Sequence, residues 1–323
     1  GEVFQASKKL SKSTKSLSST FPAKGYLRGI LLSFVTALLW GVLPIILKIT
    51  LQGFHTGTIA WFRFLFAFLI LVVILQWRGH EPLKILRNPP WIGIAGGLCL
   101  SANYYWVTVG VDLSGPSNMA VLIQTASVFL VLVGVFVFRE HLALRQVMGM
   151  VIVAGGLFLF FHDQQSRIQE PGEFYYANVV IILAALVWVG YMVSQKLLSQ
   201  QHGAQSLNLL VYAVSVIALI GGVEWADFTR AGGLAWLALI FCGINTIIAY
   251  GTLAEAVKYI PLALISVIIS LNPLITLWGM KILPEMGFFG LQPDPVGDLG
   301  YLGGVVAVFG VVLVVYRSTP REG

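Results

Sequence analysis

Long apolar runs separated by short polar segments dominate the pattern of this chain of 323 residues. Ten such runs recur, and each can supply the roughly 20 apolar residues that a helix needs to cross about 30 Å of hydrocarbon. They lie near residues 29–51, 56–77, 90–110, 116–138, 145–162, 174–198, 206–224, 233–254, 260–282 and 298–316. The connections carry Gly, Pro, Asn or Asp, which are typical of turns. The pattern predicts an all-α integral membrane protein with ten transmembrane helices.

The second half of the chain repeats the pattern of the first half. Residues 91–140 match residues 236–285 without a gap, with seven identities. Five of these are the pairs Trp91/Trp236, Tyr105/Tyr250, Pro116/Pro261, Gly134/Gly279 and Glu140/Glu285, and the other two are Ile123/Ile268 and Leu132/Leu277. The first and sixth predicted helices share a Trp-to-Lys spacing of eight, and the fifth and tenth share two glycines seven residues apart. Because each copy has an odd number of helices, the second enters the membrane from the opposite side, and the halves are inverted five-helix repeats.

The repeat divides the chain into five predicted segments. They are a basic N-terminal tail (1–28), a first repeat (29–162), a linker (163–173), a second repeat (174–316) and a C-terminal tail (317–323). The N-terminal tail could be a cytosolic tail, a remnant of an organelle-targeting sequence or a cloning remnant.

The positive charges favour one orientation in the membrane. If the N-terminus is cytoplasmic, cytoplasmic segments carry fifteen Lys and Arg residues and the opposite side carries four. The fifteen are Lys8, Lys9, Lys12, Lys15, Lys24, Arg28, Arg78, Lys84, Arg87, Arg139, Arg145, Lys196, Lys258, Arg317 and Arg321, and the four are Lys48, Arg167, Arg230 and Lys281. Because cytoplasmic loops are enriched in Lys and Arg, this bias predicts a multi-pass protein of the plasma (inner) membrane with both termini in the cytoplasm.

The composition excludes several classes of function. Charged residues make up 11% of the chain and apolar residues 57%, whereas a soluble domain has roughly 25% charged residues. The positive tail lacks an aromatic platform, so a lipid surface and not a nucleic acid is the expected partner. Cys99 and Cys242 lie in apolar runs without metal-like spacing, and we expect neither a metal nor a cofactor. The motifs of hydrolases and phosphate loops are missing, which argues against an enzyme.

Polar and aromatic side chains in the middle of the predicted helices are the candidates for a substrate site. Transporters built from inverted repeats bind their substrate near the bilayer midplane, between the halves. The candidates are Trp40, Asn103, Tyr104, Gln124, Trp188, Tyr191, Gln195, Asn245, Tyr250 and Asn272. Such side chains can form the walls of a cavity and bind a small polar molecule. The alternatives are hydrogen bonds between helices for the amides and helix packing for the Trp residues.

Four charged residues are candidates for gating or charge pairing. Lys48 and Lys196 end the first and sixth predicted helices, where they either extend toward the membrane surface or pair with an anion when one mouth closes. Arg63 lies within the second predicted helix, where a charge should face a cavity or a partner. Glu255, late in the eighth, is the acid nearest to the membrane interior. The lack of an acid at mid-depth favours facilitated transport or exchange over proton coupling.

Three groups of residues resemble the motifs of one transporter family. They are Phe136–Glu140 with Leu142, Gln146, Gly149, Gly155 and Gly156; Leu271–Pro273 with Pro284 and Glu285; and Ala37–Gly41. Their order and doubling over residues 29–316 resemble the EamA-type ten-helix permeases of the drug/metabolite transporter superfamily. Two departures stand out. Val128 stands where the second copy has Pro273, and an insertion at about residues 287–298 follows Glu285.

The resemblance implies movement of small metabolites by alternating access, often of amino acids or their relatives and commonly outward. It also implies a central cavity lined by helices 1, 3, 4, 6, 8 and 9. We therefore expect an exporter of amino acids or related metabolites. One alternative is an exchanger of organic anions or sugar phosphates, which would need two or more positively charged side chains in the cavity. Another is a membrane subunit or receptor that transports nothing. The oligomeric state stays open, a monomer included.

Overall fold

The structure, a computed structural model, describes residues 23–79, 84–137, 141–167, 171–199, 201–256, 259–260 and 262–316. Residues 1–22 and 317–323 of the predicted tails lie outside the described residues, and so do Arg139, Glu140, Lys258 and Pro261. The described chain is helical and contains no strand.

Ten membrane-spanning segments, α1 to α10, make up the described fold. Eight are helices that are long and apolar enough to cross a membrane. They are α1 (Ala23–Thr50), α2 (Thr56–Trp77), α5 (Leu144–Gln165), α6 (Pro171–Leu198), α7 (Ala204–Leu219), α8 (Gly233–Ala256), α9 (Leu262–Ile269 continued by Asn272–Glu285) and α10 (Asp298–Val315). The other two, α3 and α4, share the helical stretches Trp91–Leu122 and Thr125–Phe136. Single helical turns at Lys84–Arg87 and Asp227–Arg230 lie in the connections.

The chain reverses direction at Gly115, which separates α3 (91–114) from α4 (116–136). Gly115 has a φ of 85°, a backbone conformation that favours glycine. A Cβ on Gly110 would lie 3.5 Å from Cγ of Met119. Residues nine positions apart in a continuous helix would be separated by about 13 Å. The contact therefore requires a hairpin, and the prediction of ten transmembrane helices is confirmed for the described chain.

The contacts between helices follow the two halves. Helix α1 packs on α8, and α6 packs on the α3–α4 hairpin. Helix α2 packs on α7, and α5 packs on α10. If the two halves are exchanged, the α1–α8 contact becomes the contact between α6 and α3, and the reverse. The α2–α7 and α5–α10 contacts stay the same. This is the packing expected of two inverted five-helix repeats.

Helices α4 and α9 are each interrupted near the middle, whereas the sequence predicts continuous helices at 116–138 and 260–282. The interruptions lie at Ile123–Gln124 and at Ser270–Leu271. Nε2 of Gln124 donates a hydrogen bond of 3.1 Å to the carbonyl of Ser270, so the two breaks face each other. Helix α4 breaks although Val128 replaces the proline of the second copy, and a side chain from the opposite half satisfies a carbonyl that the break leaves free.

Several helix ends differ from the predicted boundaries by a few residues. Helix α1 begins at Ala23, inside the predicted tail, and α7 ends at Leu219, five residues early. Residues Ile220–Gly222 continue α7 as a tighter 3-10 turn. The described helices α5 and α6 both extend into the predicted linker, to Gln165 and from Pro171. Hydropathy marks only the part of a helix that faces lipid, so polar extensions of a helix are not detected.

Four glycines form a seam along which α5 and α10 touch backbone to backbone. They are Gly149, Gly156, Gly303 and Gly310. A Cβ on Gly156 would lie 2.3 Å from the backbone nitrogen of Ala307. A Cβ on Gly310 would lie 2.6 Å from the nitrogen of Val153. Because lipid gives helices no hydrophobic reason to associate, such close approach of small residues is a main source of their packing energy.

We predict that Gly156→Ala destabilises the protein, because the α10 backbone would have to move away from the added methyl group. The expected loss is about 1–3 kcal/mol, as for other overpacked sites. Thermal unfolding in detergent measures it. Gly155→Ala is the matched control, since nothing lies within 4 Å of a Cβ there. Equal melting temperatures for the two variants would contradict the close backbone contact between α5 and α10 at Gly156.

Candidate functional site

A buried arginine on α2 is the most unusual charge in the fold. Arg63 is buried, and only 2% of the residue is exposed to solvent. Its guanidinium carbon lies 4.1 Å from the centroid of the Tyr104 ring, and Nη2 donates a 3.3 Å hydrogen bond to the hydroxyl of Thr246. Nε is buried and has no hydrogen-bond partner. Within the described ranges no carboxylate forms an ion pair with Arg63.

Aromatic side chains from both halves surround this arginine. The rings of Tyr104 and Phe64 have centroids 4.3 Å apart. The side chain of Tyr250 on α8 packs against the buried cluster that contains Tyr104, and it meets the ring of Trp40 on α1 edge-on at 5.6 Å. The continuous contacts join α1, α2, α3 and α8 around one charged group.

We define the central cluster as Arg63 and the side chains that enclose it. The other members are Trp40, Tyr104, Trp188, Tyr191, Tyr212, Thr246 and Tyr250. Sequence reasoning identified most of this set but missed Tyr212, a buried residue in the middle of α7. The same criterion, a polar aromatic side chain at mid-helix, would have found Tyr212 on the seventh predicted helix.

Two predicted asparagines connect helices of opposite halves. Nδ2 of Asn103 on α3 donates to the carbonyl of Ala184 on α6 at 2.9 Å. Nδ2 of Asn245 on α8 donates to the carbonyl of Leu39 on α1 at 2.7 Å. The two bonds occupy corresponding helix pairs of the two repeats. They differ in one respect, because the buried Oδ1 of Asn245 has no hydrogen-bond partner and can accept another donor.

The three remaining predicted amides occupy different surroundings. The side chain of Gln124 is used at the interface of the two helix breaks. Asn272 is half-buried at the start of the second segment of α9, and its carbonyl lies 2.8 Å from the position of a Cβ on Gly41. Gln195 follows Tyr191 by one helical turn, and its buried Nε2 has no partner. In the described chain, the buried side-chain atoms without a hydrogen-bond partner thus belong to Arg63, Asn245 and Gln195.

The structure places only one of the four predicted charges in the central cluster. Nζ of Lys48, at the end of α1, donates to the carbonyl of Asp112 at 3.3 Å. Lys196 lies exposed near the end of α6. Glu255 Oε1 lies 3.8 Å from a guanidinium nitrogen of Arg28 and accepts a 3.2 Å hydrogen bond from the hydroxyl of Tyr259. Of the four, Arg63 is the residue whose described contacts include a candidate substrate residue, Tyr104.

An apolar layer separates the central cluster from one end of the bundle. We call this end, which carries the connections after α1, α3, α5, α7 and α9, the outer end, in keeping with the predicted orientation. The outer apolar layer consists of Leu47, Phe54, Ile59, Val111, Met119, Ile181, Leu239 and Cys242, all of them buried. Both halves contribute to the layer, so it can open only if the halves separate there.

Comparison with known proteins identifies relatives along almost the whole chain. The EamA-like transporter family matches residues 27–162 and again 176–316. The chain is 32% identical to the uncharacterized inner membrane transporter YhbE of Escherichia coli (strain K12), over 88% of this chain and 90% of that protein. It is 30% identical to an uncharacterized transporter of Haemophilus influenzae, over 89% of this chain and 94% of that protein.

Two more distant similarities complete the comparison. The chain is 21% identical to the probable amino-acid metabolite efflux pump of Escherichia coli (strain K12), over 90% of this chain and 96% of that protein. In fold it resembles a protein of known crystal structure with a TM-score of 0.61 at 18% identity, covering 88% of this chain and 95% of that one.

We predict different consequences for the two asparagines. Asn103→Ala and Asn245→Ala should each lower stability by about 1 kcal/mol, the usual contribution of a hydrogen bond between membrane helices. Only Asn245→Ala should also lower transport strongly, because it alone removes an unsatisfied acceptor. Thermal unfolding and flux in proteoliposomes measure the two effects, and each variant is the control for the other. An equal loss of flux in both variants would contradict a specific role of the Asn245 acceptor in transport.

Proposed function

The chain belongs to the EamA-like transporter family, and we propose from this premise that it exports an amino acid or a related small metabolite by alternating access. The protein is a multi-pass membrane transporter, so its partners are a small-molecule substrate and the lipid bilayer. The observation that carries the finer proposal is Arg63, buried without a carboxylate partner in the central cluster.

An anion would stabilise the buried charge of Arg63. Arginine keeps its charge at all physiological pH values, so burial cannot be relieved by loss of a proton. A buried charge without a partner costs several kcal/mol. The Tyr104 ring and the Thr246 hydroxyl offset part of this cost, and Nε still lacks an acceptor. The carboxylate of a substrate would supply that acceptor and the counter-charge together.

The other side chains nearby suit an ammonium group. The Oδ1 atom of Asn245 is a free acceptor, which an ammonium or amide donor can satisfy. The rings of Trp40 and Tyr250 are aromatic surfaces to which cations are attracted. A molecule with one carboxylate and one ammonium, as in an amino acid, matches both features.

The alternative exchanger of organic anions or sugar phosphates fits less well. A phosphate monoester carries up to two negative charges and is usually bound by more than one cation. Among the described residues, Arg63 is the one cation of the central cluster, while Lys48 and Lys196 lie toward helix ends. The printed name of the Escherichia coli relative, a probable amino-acid metabolite efflux pump, also supports the amino-acid class.

We also propose that the protein resides in the plasma (inner) membrane with both termini in the cytoplasm. The distribution of Lys and Arg supports this orientation. The relative YhbE carries the designation inner membrane transporter. In this orientation the outer apolar layer closes the path to the outside, and export requires that layer to part.

Reconstitution in liposomes tests the proposal directly. Radiolabelled amino acids, sugar phosphates and organic cations would be compared for counterflow with the folded protein. We expect flux for amino acids or close relatives. Flux of sugar phosphates alone would favour the anion exchanger, and the absence of flux from every class would favour a subunit or receptor that transports nothing.

We predict that Arg63→Gln lowers amino-acid flux at least about tenfold, the loss that corresponds to one charged hydrogen-bonding partner. Arg63→Lys should restore little, because an ammonium cannot both stack on Tyr104 and donate from a planar fork. Arg78→Gln, which removes an exposed arginine just beyond the end of α2, is the matched control and should leave flux unchanged. Wild-type flux in Arg63→Gln would refute the role of this arginine.

A further inference from the structure

Three carboxylates at the outer end bind the starts of helices in the opposite half. Each accepts a hydrogen bond of 2.8 Å from a backbone N–H. The pairs are Asp227 with His55, Asp294 with Ser117 and Asp163 with Gly297. The starts of helices carry unpaired N–H groups and a positive partial charge, so a carboxylate stabilises them. Because each pair joins the two halves, these contacts oppose their separation at the outer end.

The contact of Asp163 fixes one end of the α9–α10 loop (residues 286–297). Asp163 on α5 lies at the end of the glycine seam, next to the start of α10, and Arg167 reaches it at 3.3 Å. The neighbouring Gln164 donates to the carbonyl of Pro295 at 2.9 Å. The close backbone contact between α5 and α10 makes this anchor the stationary base of the loop.

The contact of Asp294 lies at the other side of the outer end, on the α3–α4 hairpin. Its carboxylate accepts a hydrogen bond from the backbone N–H of Ser117, in the first turn of α4. A Cβ on Gly115 would lie 2.5 Å from Oδ1 of Asp294, so glycine is needed here for space as well as for its φ. Asp294 also lines a cavity of about 380 Å³, together with Lys281, Glu285 and Tyr301.

We propose that the α9–α10 loop is the latch of the outer mouth: Asp294 holds α4 of the opposite half while the mouth is closed and releases it when the mouth opens. The latch lies above the outer apolar layer, to which α4 contributes Met119. Release of the start of α4 frees the element that carries this side chain. The loop stays attached to the seam through Asp163 and can close again.

The three contacts differ in the number of hydrogen bonds that the described residues supply. Asp227 accepts three, from the backbone and ring of His55 and from Thr58. Asp163 accepts from Gly297 and Arg167, and Asp294 accepts from the backbone of Ser117. Burial raises the pKa of Asp294, although hydrogen bonds from Ser117 and the charge of Lys48 act in the opposite direction. Burial also acts to raise the pKa of Asp227, but hydrogen bonds from His55 and Thr58 outweigh it and lower that pKa. The ionised carboxylate is therefore less well satisfied at Asp294 than at Asp227.

The native cysteines provide a test that needs no knowledge of the substrate. Cys242 lies in the outer apolar layer, fully buried, with Sγ 3.7 Å from the hydroxyl of Thr50. In a Cys99→Ala background it is the one thiol, and its reaction with a membrane-impermeant maleimide in nanodiscs reports opening of the layer. We expect Asp294→Ala to raise the labelling rate about three- to thirtyfold, the factor lost with one helix cap. Asp294→Asn, which keeps an acceptor oxygen, should give a smaller rise.

Two controls separate opening from unfolding. Asp298→Ala removes an exposed carboxylate four residues further along and should leave Cys242 labelling at the wild-type rate. The melting temperature of Asp294→Ala in detergent should stay close to that of Asp298→Ala, because the latch is one contact at the outer end. Faster labelling of Cys242 together with a large fall in the melting temperature would mean general loosening and would overturn the latch. An unchanged rate at Cys242 in folded Asp294→Ala would overturn it as well.

Discussion

A polar group within lipid must find its partner inside the protein, and this constraint organises the fold. Lipid offers no hydrogen bonds, so an unsatisfied backbone group at mid-membrane costs several kcal/mol. The breaks in α4 and α9 are tolerated because they face each other and Gln124 binds the carbonyl of Ser270. The amide of Asn103 is likewise used on the carbonyl of Ala184. Arg63 stands out because its environment leaves the requirement incomplete.

The two halves obey the same packing rules with different residues. Asn103 corresponds to Ile248 in the repeat, so the second half lacks an asparagine at that position. It has Asn245 instead, one helical turn away, and the bond to the first helix of the other half is kept. The architecture therefore needs an amide between these helix pairs but not at one fixed level. The shift leaves the two amides in different environments, and of the two only Asn245 has a buried oxygen that lacks a donor among the described residues.

Hydropathy predicted the ten helices and the unusual position of Arg63, because these depend on composition along one helix. The inverted repeat was predicted from the matching residues of the two halves and from the odd number of helices in each. Hydropathy could not predict the break at Gln124, since no proline follows this break and its stabilising contact comes from the other half. The role of Asp163 was hidden for the same reason. Its sequence position lies in a predicted linker, and its partner Gly297 is more than a hundred residues away. Contacts between the halves are what a single sequence leaves out.

The partial satisfaction of Arg63 fits a carrier better than complete pairing would. A carboxylate of the protein in contact with Arg63 would compete with every anionic substrate, and the site would bind weakly. An arginine with no partner at all would bind an anion so strongly that release would be slow. The Tyr104 face and the Thr246 hydroxyl lie between these limits. In the proposed site they would hold the charge at a tolerable cost when the substrate has left and would give way to a carboxylate when one arrives, which is what reversible binding at a transport site requires.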